Sequence, residues 1–193
     1  MKLLHIDSSI TGETSVSRSL TAAIVAKLAA AHSGTEITRR DVTATPLPHL
    51  DLAAMPGGGG DAASASTAIL EEFLAADVVV IGAPMYNFTI PSQLKAWIDR
   101  IIVAGRTFRH NADGSVEGLI PGKRVIVAIS RGNFYGVGAP GERLEHLETY
   151  LAALFGFIGV TPEFVIAEGV GAGPDHRAAA LDHADQTITA LAA

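Results

Sequence analysis

Residues 7–17 form a hydroxyl-rich segment that follows the first apolar run of the chain and leads into a helical pattern. Three of its serines, Ser9, Ser15 and Ser17, could donate hydrogen bonds to a ligand. A helix N-terminus adds free backbone N–H groups and a partial positive charge, and both suit a phosphate. The segment lacks G-x-G-x-x-G and G-x-x-x-x-G-K-[ST], which disfavours a Rossmann dinucleotide site and a P-loop ATPase. We therefore predict a phosphate loop, with helix capping by the same serines as the alternative.

Two later loops carry residue types that suit a flat aromatic ligand. Residues 83–91 are stiffened by two prolines and offer Met85, Tyr86 and Phe88 as apolar cover. Residues 130–138 contain three glycines, which allow the backbone to approach a ligand closely. Each apolar side chain taken alone could equally belong to the core. A phosphate loop beside two such loops suits FMN.

Other reactive residue types are sparse. The chain has no cysteine, which excludes disulfides, thiolate nucleophiles and thiolate metal or iron–sulfur sites. None of the seven histidines has metal-ligand spacing to another ligand, so no metal is predicted. His5 is expected to be buried and hydrogen-bonded. His49 and His110 lie in two long insertions, residues 43–62 and 105–122, where they could reach a substrate.

The elements that must position these loops alternate between strand and helix patterns. Apolar runs at residues 2–6, 77–83, 124–130 and 163–167 predict buried parallel strands, and the more polar residues 35–42 predict an edge strand. The alternation predicts an α/β fold: a single domain, residues 1–193, with a doubly wound five-stranded parallel sheet and helices on both faces.

The helix and turn signals are more local. Helices are predicted from an N-cap at Ser17, over residues 67–75, from Pro91 in a first turn, along leucines 144–154, and along residues 181–191. Residues 57–60 are all glycine and predict a mobile loop, and Asp113-Gly114 predicts a hairpin turn.

The overall charge and hydropathy exclude several classes of function. The net charge is −6 and the basic residues are scattered, so the chain lacks the footprint of a nucleic-acid-binding protein. No apolar stretch approaches the roughly 20 residues of a membrane span. The first apolar run is too short for a signal peptide and is interrupted by His5 and Asp7. We therefore expect a cytoplasmic protein without a membrane or nucleic-acid partner.

With these segments in place, the sequence resembles the FMN-dependent NADH-azoreductases, also described as FMN-dependent NADH:quinone oxidoreductases. The resemblance covers essentially the whole chain. The residues that carry it are Ser9 with Ser15, Val16 and Ser17, then 84–88 (PMYNF) with 91–95 (PSQLK), 105–108 (GRTF), 130–132 (SRG) and 155–159 (FGFIG).

The resemblance implies a flavodoxin-like fold with strand order 2-1-3-4-5, and a homodimer with each flavin near the subunit interface. It implies that Ser9, Ser15, Val16 and Ser17 bind the FMN phosphate. It also implies that the flavin ring is lined by Met85, Tyr86, Asn87, Phe88, Ser130, Arg131, Gly132 and Asn133. Two positions depart from the family pattern, because Asn133 replaces a common glycine and His110 replaces a common tyrosine.

The expected activity is transfer of two electrons from NADH or NADPH through FMN to a quinone or azo compound, in a ping-pong cycle. NADH is preferred, since no arginine cluster is evident for a 2′-phosphate. Backbone donors near Asn87 and at residues 130–133 are expected to stabilise the reduced ring. His110 would act, if at all, on the acceptor. The alternatives are a flavodoxin-like electron carrier without a nicotinamide site, and a serine hydrolase using Ser9 or Ser130, for which no G-x-S-x-G motif exists.

Overall fold

Five parallel strands form the central sheet in the computed structural model, which describes residues 1–55 and 58–192. The strands are β1 Lys2–Asp7, β2 Glu36–Asp41, β3 Val78–Pro84, β4 Phe108–His110, β5 Val116–Gly118, β6 Arg124–Arg131 and β7 Glu163–Glu168. The sheet has the order β2-β1-β3-β6-β7, which is the predicted order 2-1-3-4-5 of its five members. A separate antiparallel pair, β4 and β5, lies between β3 and β6 in the chain.

Within the described residues, five α-helices accompany the strands, and their starts differ from the sequence prediction. Ser15, not Ser17, is the N-cap of the first helix, because its hydroxyl accepts the N–H of Arg18. Pro91 precedes the third helix instead of lying in its first turn. The helices are α1 Val16–Ala31, α2 Gly60–Ala75, α3 Ser92–Ile101, α4 Glu148–Phe157 and α5 Pro174–Ala190.

The insertion was predicted over residues 43–62 and the second helix over residues 67–75, but α2 already begins at Gly60. Small residues dominate its first turns, and only Ala63 and Ser66 of the added part are buried. The apolar periodicity therefore detected only the second half of the helix. Gly57, part of the predicted mobile loop, lies outside the described residues.

The core consists of two hydrophobic clusters that use alternate residues of the same strands. Leu4 and Ile6 of β1 belong to the cluster with α2, α3 and α4, whereas Leu3 belongs to the cluster with α1 and α5. Successive side chains of a strand point to opposite faces, so each cluster holds one face of the sheet. Every residue of β3, at the centre, is buried. This burial fixes the carboxyl ends of the strands, where the candidate loops begin.

The predicted hairpin is confirmed in residues 105–122. β4 and β5 pair antiparallel, and Gly114 in their turn has a φ of 84°, which favours glycine. Gly118 packs directly on the end of α4, where an added Cβ would lie 2.2 Å from the backbone nitrogen of Gly159. Within residues 1–55 and 58–192, no helix has the length and apolar character needed to cross a membrane.

Candidate functional site

The loop after β1 gathers buried hydroxyls at the start of α1. Ser9, Ser15 and Ser17 are all nearly inaccessible to solvent, and the Ser15 and Ser17 hydroxyl oxygens lie 3.1 Å apart. The backbone N–H groups of Val16 and Ser17 have no acceptor within the part of the chain that the structure describes. Free N–H groups beside hydroxyls at a helix N-terminus are a donor set suited to a phosphate anion.

Arg18, which was not among the predicted site residues, holds this loop. Its Nη2 donates to the carbonyl oxygen of Ser9 at 2.8 Å and to the hydroxyl of Thr43 at 2.9 Å. Its Nη1 donates to Asp41 at 2.6 Å. The hydrogen bond from Arg18, supplemented by those from Thr43, holds the pKa of Asp41 well below its usual range. The only sequence signal was an arginine in the first turn after the serines.

His5 lies under the same loop and corrects an expectation. It is buried as predicted, but neither ring nitrogen makes a hydrogen bond within the described residues. Its Nε2 lies 3.3 Å from Oδ2 of Asp7, with which it shares one face of β1. The other oxygen of that carboxylate accepts the hydroxyl of Thr21 at 2.9 Å.

The loop after β3 makes a tight turn with strained backbone. Tyr86 and Thr89 exchange backbone hydrogen bonds of 3.0 and 3.2 Å. Between them, Asn87 and Phe88 have φ values of 47° and 74°, in the left-handed region that L-residues rarely adopt. Such strain is concentrated at functional sites. No acceptor for the N–H groups of Asn87 and Phe88 is found among the described residues, so both can serve a ligand.

The loop after β6 lies beside this turn and is supported from behind. The N–H of Met85 donates to the carbonyl of Ser130 at 2.8 Å, which joins the two loops where their strands end. The carbonyl of Gly132 accepts the N–H of Gly171 at 2.9 Å, and an added Cβ on Gly171 would lie 3.0 Å from that carbonyl. The N–H groups of Gly132 and Asn133 have no acceptor in the described chain.

Arg131 was predicted to line the flavin ring, but its side chain has other partners. It is 1% exposed and pairs with the carboxylates of Glu145, Glu148 and Glu168. Only its backbone is free of these pairs, so a contact with a ring would have to come from the backbone.

Tyr86 joins the turn after β3 to the loop after β1. Its phenol oxygen lies 3.2 Å from the hydroxyl oxygen of Ser9 and accepts the N–H of Ile10 at 3.2 Å. Two open cavities of about 650 and 640 Å³ meet here, and both are lined by Ile10 and Gln93. Gln93 was not among the predicted site residues. The first cavity also includes Ser9, Gly12, Arg18, Asp41 and Thr43, and the second includes Met85, Tyr86, Asn87, Thr89 and Pro91.

The two candidate histidines differ in position. His49 lines a cavity of about 350 Å³ with Thr89, Ile90 and Tyr150, next to the strained turn. His110 is exposed on β4, with its ring edge-on to Phe108 at 5.5 Å, and it lines neither cavity at the loops. The fold thus brings the three predicted loops together but leaves His110 apart from them within one chain.

The chain has close relatives of known name. A family profile described as Flavodoxin-like fold matches residues 1–191. An FMN-dependent NADH:quinone oxidoreductase 2 from Bradyrhizobium diazoefficiens is 59% identical over 202 residues, covering 100% of both chains. An FMN-dependent NADH:quinone oxidoreductase from Gluconacetobacter diazotrophicus is 55% identical over 99% of both chains. Among solved structures, an FMN-dependent NADH-azoreductase from Bacillus anthracis in complex with FMN matches with a TM-score of 0.86 and 26% identity, covering 98% of this chain and 96% of that one.

Proposed function

Because the chain belongs to the flavodoxin-like fold family, and within it to the FMN-dependent NADH:quinone oxidoreductases and NADH-azoreductases, we propose that it binds FMN and uses NADH to reduce quinones and azo compounds. One structural observation carries the proposal. Loops with free donors follow β1, β3 and β6, and they are joined through the pairs Ser9–Tyr86 and Met85–Ser130. The carboxyl edge of a parallel sheet is the usual ligand site of such folds.

Ser9, Ser15, Val16 and Ser17 would hold the phosphate of FMN. The buried hydroxyls and the free N–H groups of Val16 and Ser17 can donate to the phosphate. Within the described residues, none of these donors is hydrogen-bonded to a carboxylate. Arg18 keeps the loop in place, and its charge is already matched by Asp41. The donor set therefore fits the group that the family binds.

The ring would be lined by the strained turn and by the loop after β6. Met85 and Tyr86 line the second cavity and Phe88 is exposed in the same turn, so their side chains would give apolar cover. Asn87, Gly132 and Asn133 would present backbone N–H groups. Bound FMN supplies the two-electron chemistry between nicotinamide and acceptor. The chain's part is to aim fixed donors at the pyrimidine side of the ring, which becomes negatively charged on reduction. Backbone donors need no reorientation, because the surrounding hydrogen bonds already hold the turns.

The proposal also covers the winding of the sheet, the oligomeric state and the cellular location. The alternation of the two hydrophobic clusters along β1, β3 and β6 supports a doubly wound sheet with helices on both faces. Exposed apolar side chains support a homodimer with the flavin near its interface, and they include Ile10, Leu52, Met55 and Val137. Leu119, an apolar residue in the insertion at residues 105–122, is half-buried and does not add to these exposed side chains. The use of NADH fits a cytoplasmic location.

Four measurements test the proposal. The purified protein should show the visible absorption spectrum of bound FMN, and it should oxidise NADH faster than NADPH with a quinone or an azo dye present. Parallel initial-rate lines would support a ping-pong cycle. Bound FMN without NADH oxidation would instead indicate an electron carrier, and a colourless protein with esterase activity would indicate a serine hydrolase. Light scattering should give twice the mass of one chain.

A further inference from the structure

Arg131 ends strand β6 immediately before the loop that we propose lines the flavin ring. Its guanidinium is almost completely buried, and an isolated buried charge is strongly unfavourable, so it must be paired. Its Nη2 lies 2.6 Å from Glu148 and 3.2 Å from Glu145, and its Nη1 lies 3.7 Å from Glu168. These carboxylates come from the start of α4, the segment before it and the end of β7. One side chain thus joins three segments beneath the site.

Glu168 connects Arg131 to the loop after β6. Its Oε1 accepts the backbone N–H of Gly136 at 2.7 Å and also that of Tyr135. An added Cβ on Gly136 would lie 3.0 Å from Oε2 of Glu168, so the loop follows the carboxylate closely. The position of this carboxylate therefore sets the path of the loop.

Glu145 connects Arg131 to the start of α4. Burial raises the pKa of Glu145, but hydrogen bonds from three backbone N–H groups, together with the nearby Arg131, outweigh this and leave the pKa below its usual value. The carboxylate therefore stays charged and fixes the turn before the helix. The three N–H donors belong to Leu147, Glu148 and Thr149.

The residue after Glu145 reaches the loop after β3. The N–H of His146 donates to the carbonyl of Phe88 at 3.1 Å, and the hydroxyl of Thr89 donates to the carbonyl of His146 at 3.0 Å. These hydrogen bonds hold the turn that contains Asn87 and Phe88, whose φ values are in the left-handed region. Strained backbone persists only where its surroundings over-determine it. The segment that Glu145 anchors supplies two of the bonds that do so.

We propose that Arg131 is a positioning residue that holds the two ring-side loops, residues 85–89 and 132–138, in one fixed arrangement. Its side chain acts through Glu145 on the first loop and through Glu168 on the second. It does not itself contact the ligand, because the three carboxylates and full burial occupy it. This inference rests on the proposed function for the identity of the ligand, but not for the connection between the loops.

The test compares Arg131→Lys with Arg124→Lys, the same substitution at the other end of the same strand. Arg124 also pairs with a glutamate of β7, Glu163, at 2.7 Å. A lysine keeps the charge but has no planar fork to bridge several carboxylates. In the FMN-free protein, we expect exchange of the hydrogen-bonded amides of both loops to be about tenfold faster in Arg131→Lys. These amides are those of Met85, Tyr86 and Thr89 in the first loop and of Tyr135 and Gly136 in the second. Exchange in β1 should stay unchanged, and Arg124→Lys should leave both loops as in the wild type.

A second variant separates the two connections. Glu168→Gln keeps an oxygen acceptor but loses the ion pair with Arg131, so exchange should increase in residues 132–138 and stay unchanged in residues 85–89. Titration with FMN should show about tenfold weaker affinity in Arg131→Lys than in the wild type. The visible circular dichroism of the bound flavin should also change.

Each result has one meaning for the proposal. Unchanged loop exchange in Arg131→Lys, or faster exchange spread evenly over β1 and the loops, would overturn it. If Arg131→Lys does not fold, Glu168→Gln decides, and unchanged exchange in residues 132–138 would overturn the proposal. A wild-type protein that fails to bind FMN would refute the proposed function, while the exchange measurements on the FMN-free protein would still test Arg131.

Discussion

The phenol oxygen of Tyr86 lies 3.2 Å from the hydroxyl oxygen of Ser9, so the turn after β3 touches the loop after β1 directly. The same phenol accepts the N–H of Ile10. For a ligand that spans both loops, the protein itself therefore holds the phosphate site and the ring site together. Preorganisation of this kind lowers the cost of ordering a site on binding.

Loss of the Tyr86 hydroxyl should weaken FMN binding. Tyr86→Phe keeps the ring and removes both contacts, and we expect FMN affinity to fall by about tenfold, the effect of one or two hydrogen bonds. Titration of the FMN-free protein, followed by flavin fluorescence, measures this. Tyr150→Phe is the matched control, because the hydroxyl of Tyr150 forms no hydrogen bond within the part of the chain that the structure describes and Tyr150 lies on α4, outside both loops, so FMN affinity should be unchanged. Equal affinities for Tyr86→Phe and wild type would show that the contact between the loops does not matter for binding.

Ser15 and Ser17 should separate helix capping from phosphate binding. Ser15 is the N-cap, so Ser15→Ala should lower the free energy of unfolding of the FMN-free protein by about 1 kcal/mol. Ser17 lies inside α1, where the better helix propensity of alanine offsets the lost hydroxyl contact, so Ser17→Ala should change it little. Both variants should bind FMN about tenfold more weakly.

Urea unfolding and FMN titration provide the two readouts for this pair. Ser19→Ala is the control, since Ser19 is exposed on α1 and donates only to the carbonyl of Ser15. Its FMN affinity should equal that of the wild type. Unchanged FMN affinity in the Ser15→Ala, Ser17→Ala double variant would rule out the phosphate placement.

The sequence predicted the central sheet because apolar runs of strand length are a strong signal, and the three candidate loops followed from the ends of those strands. It misplaced the N-cap of α1 because Ser15 and Ser17 are equally good capping residues, and only the backbone conformation selects Ser15. It could not foresee that Arg18 and Arg131 hold loops. Their partners, such as Asp41 and Glu168, are distant in the chain, and the fold alone brings them together.

The strained backbone of Phe88 should lower the stability of the protein. Glycine adopts a φ of 74° without a Cβ clash, and relief of such strain is worth about 1–3 kcal/mol, less the entropy cost of glycine. We therefore expect Phe88→Gly to raise the free energy of unfolding of the FMN-free protein by about 1 kcal/mol, although FMN affinity falls as the ring cover is lost. Asn87→Gly in the same turn should gain less stability, because asparagine tolerates this conformation. A destabilised Phe88→Gly protein would show that ring contacts, such as that with Tyr135, outweigh the strain.

The pair of Arg18 and Asp41 should make the stability of the protein sensitive to acid. Arg18 holds the pKa of Asp41 well below its unfolded value, so the folded state favours the charged form. The resulting stability is fully present above the unfolded pKa of about 4 and is lost as the pH falls through the lower folded pKa.

Asp41→Asn removes this titration. The variant should be less stable than the wild type at neutral pH, and the difference should shrink as the pH falls below about 4. Urea unfolding at a series of pH values measures the difference, with Asp182→Asn as a control at an exposed residue that has no ion pair among the described residues. A difference that stays constant down to about pH 2 would mean that Asp41 acts through its shape and hydrogen bonds instead of its charge.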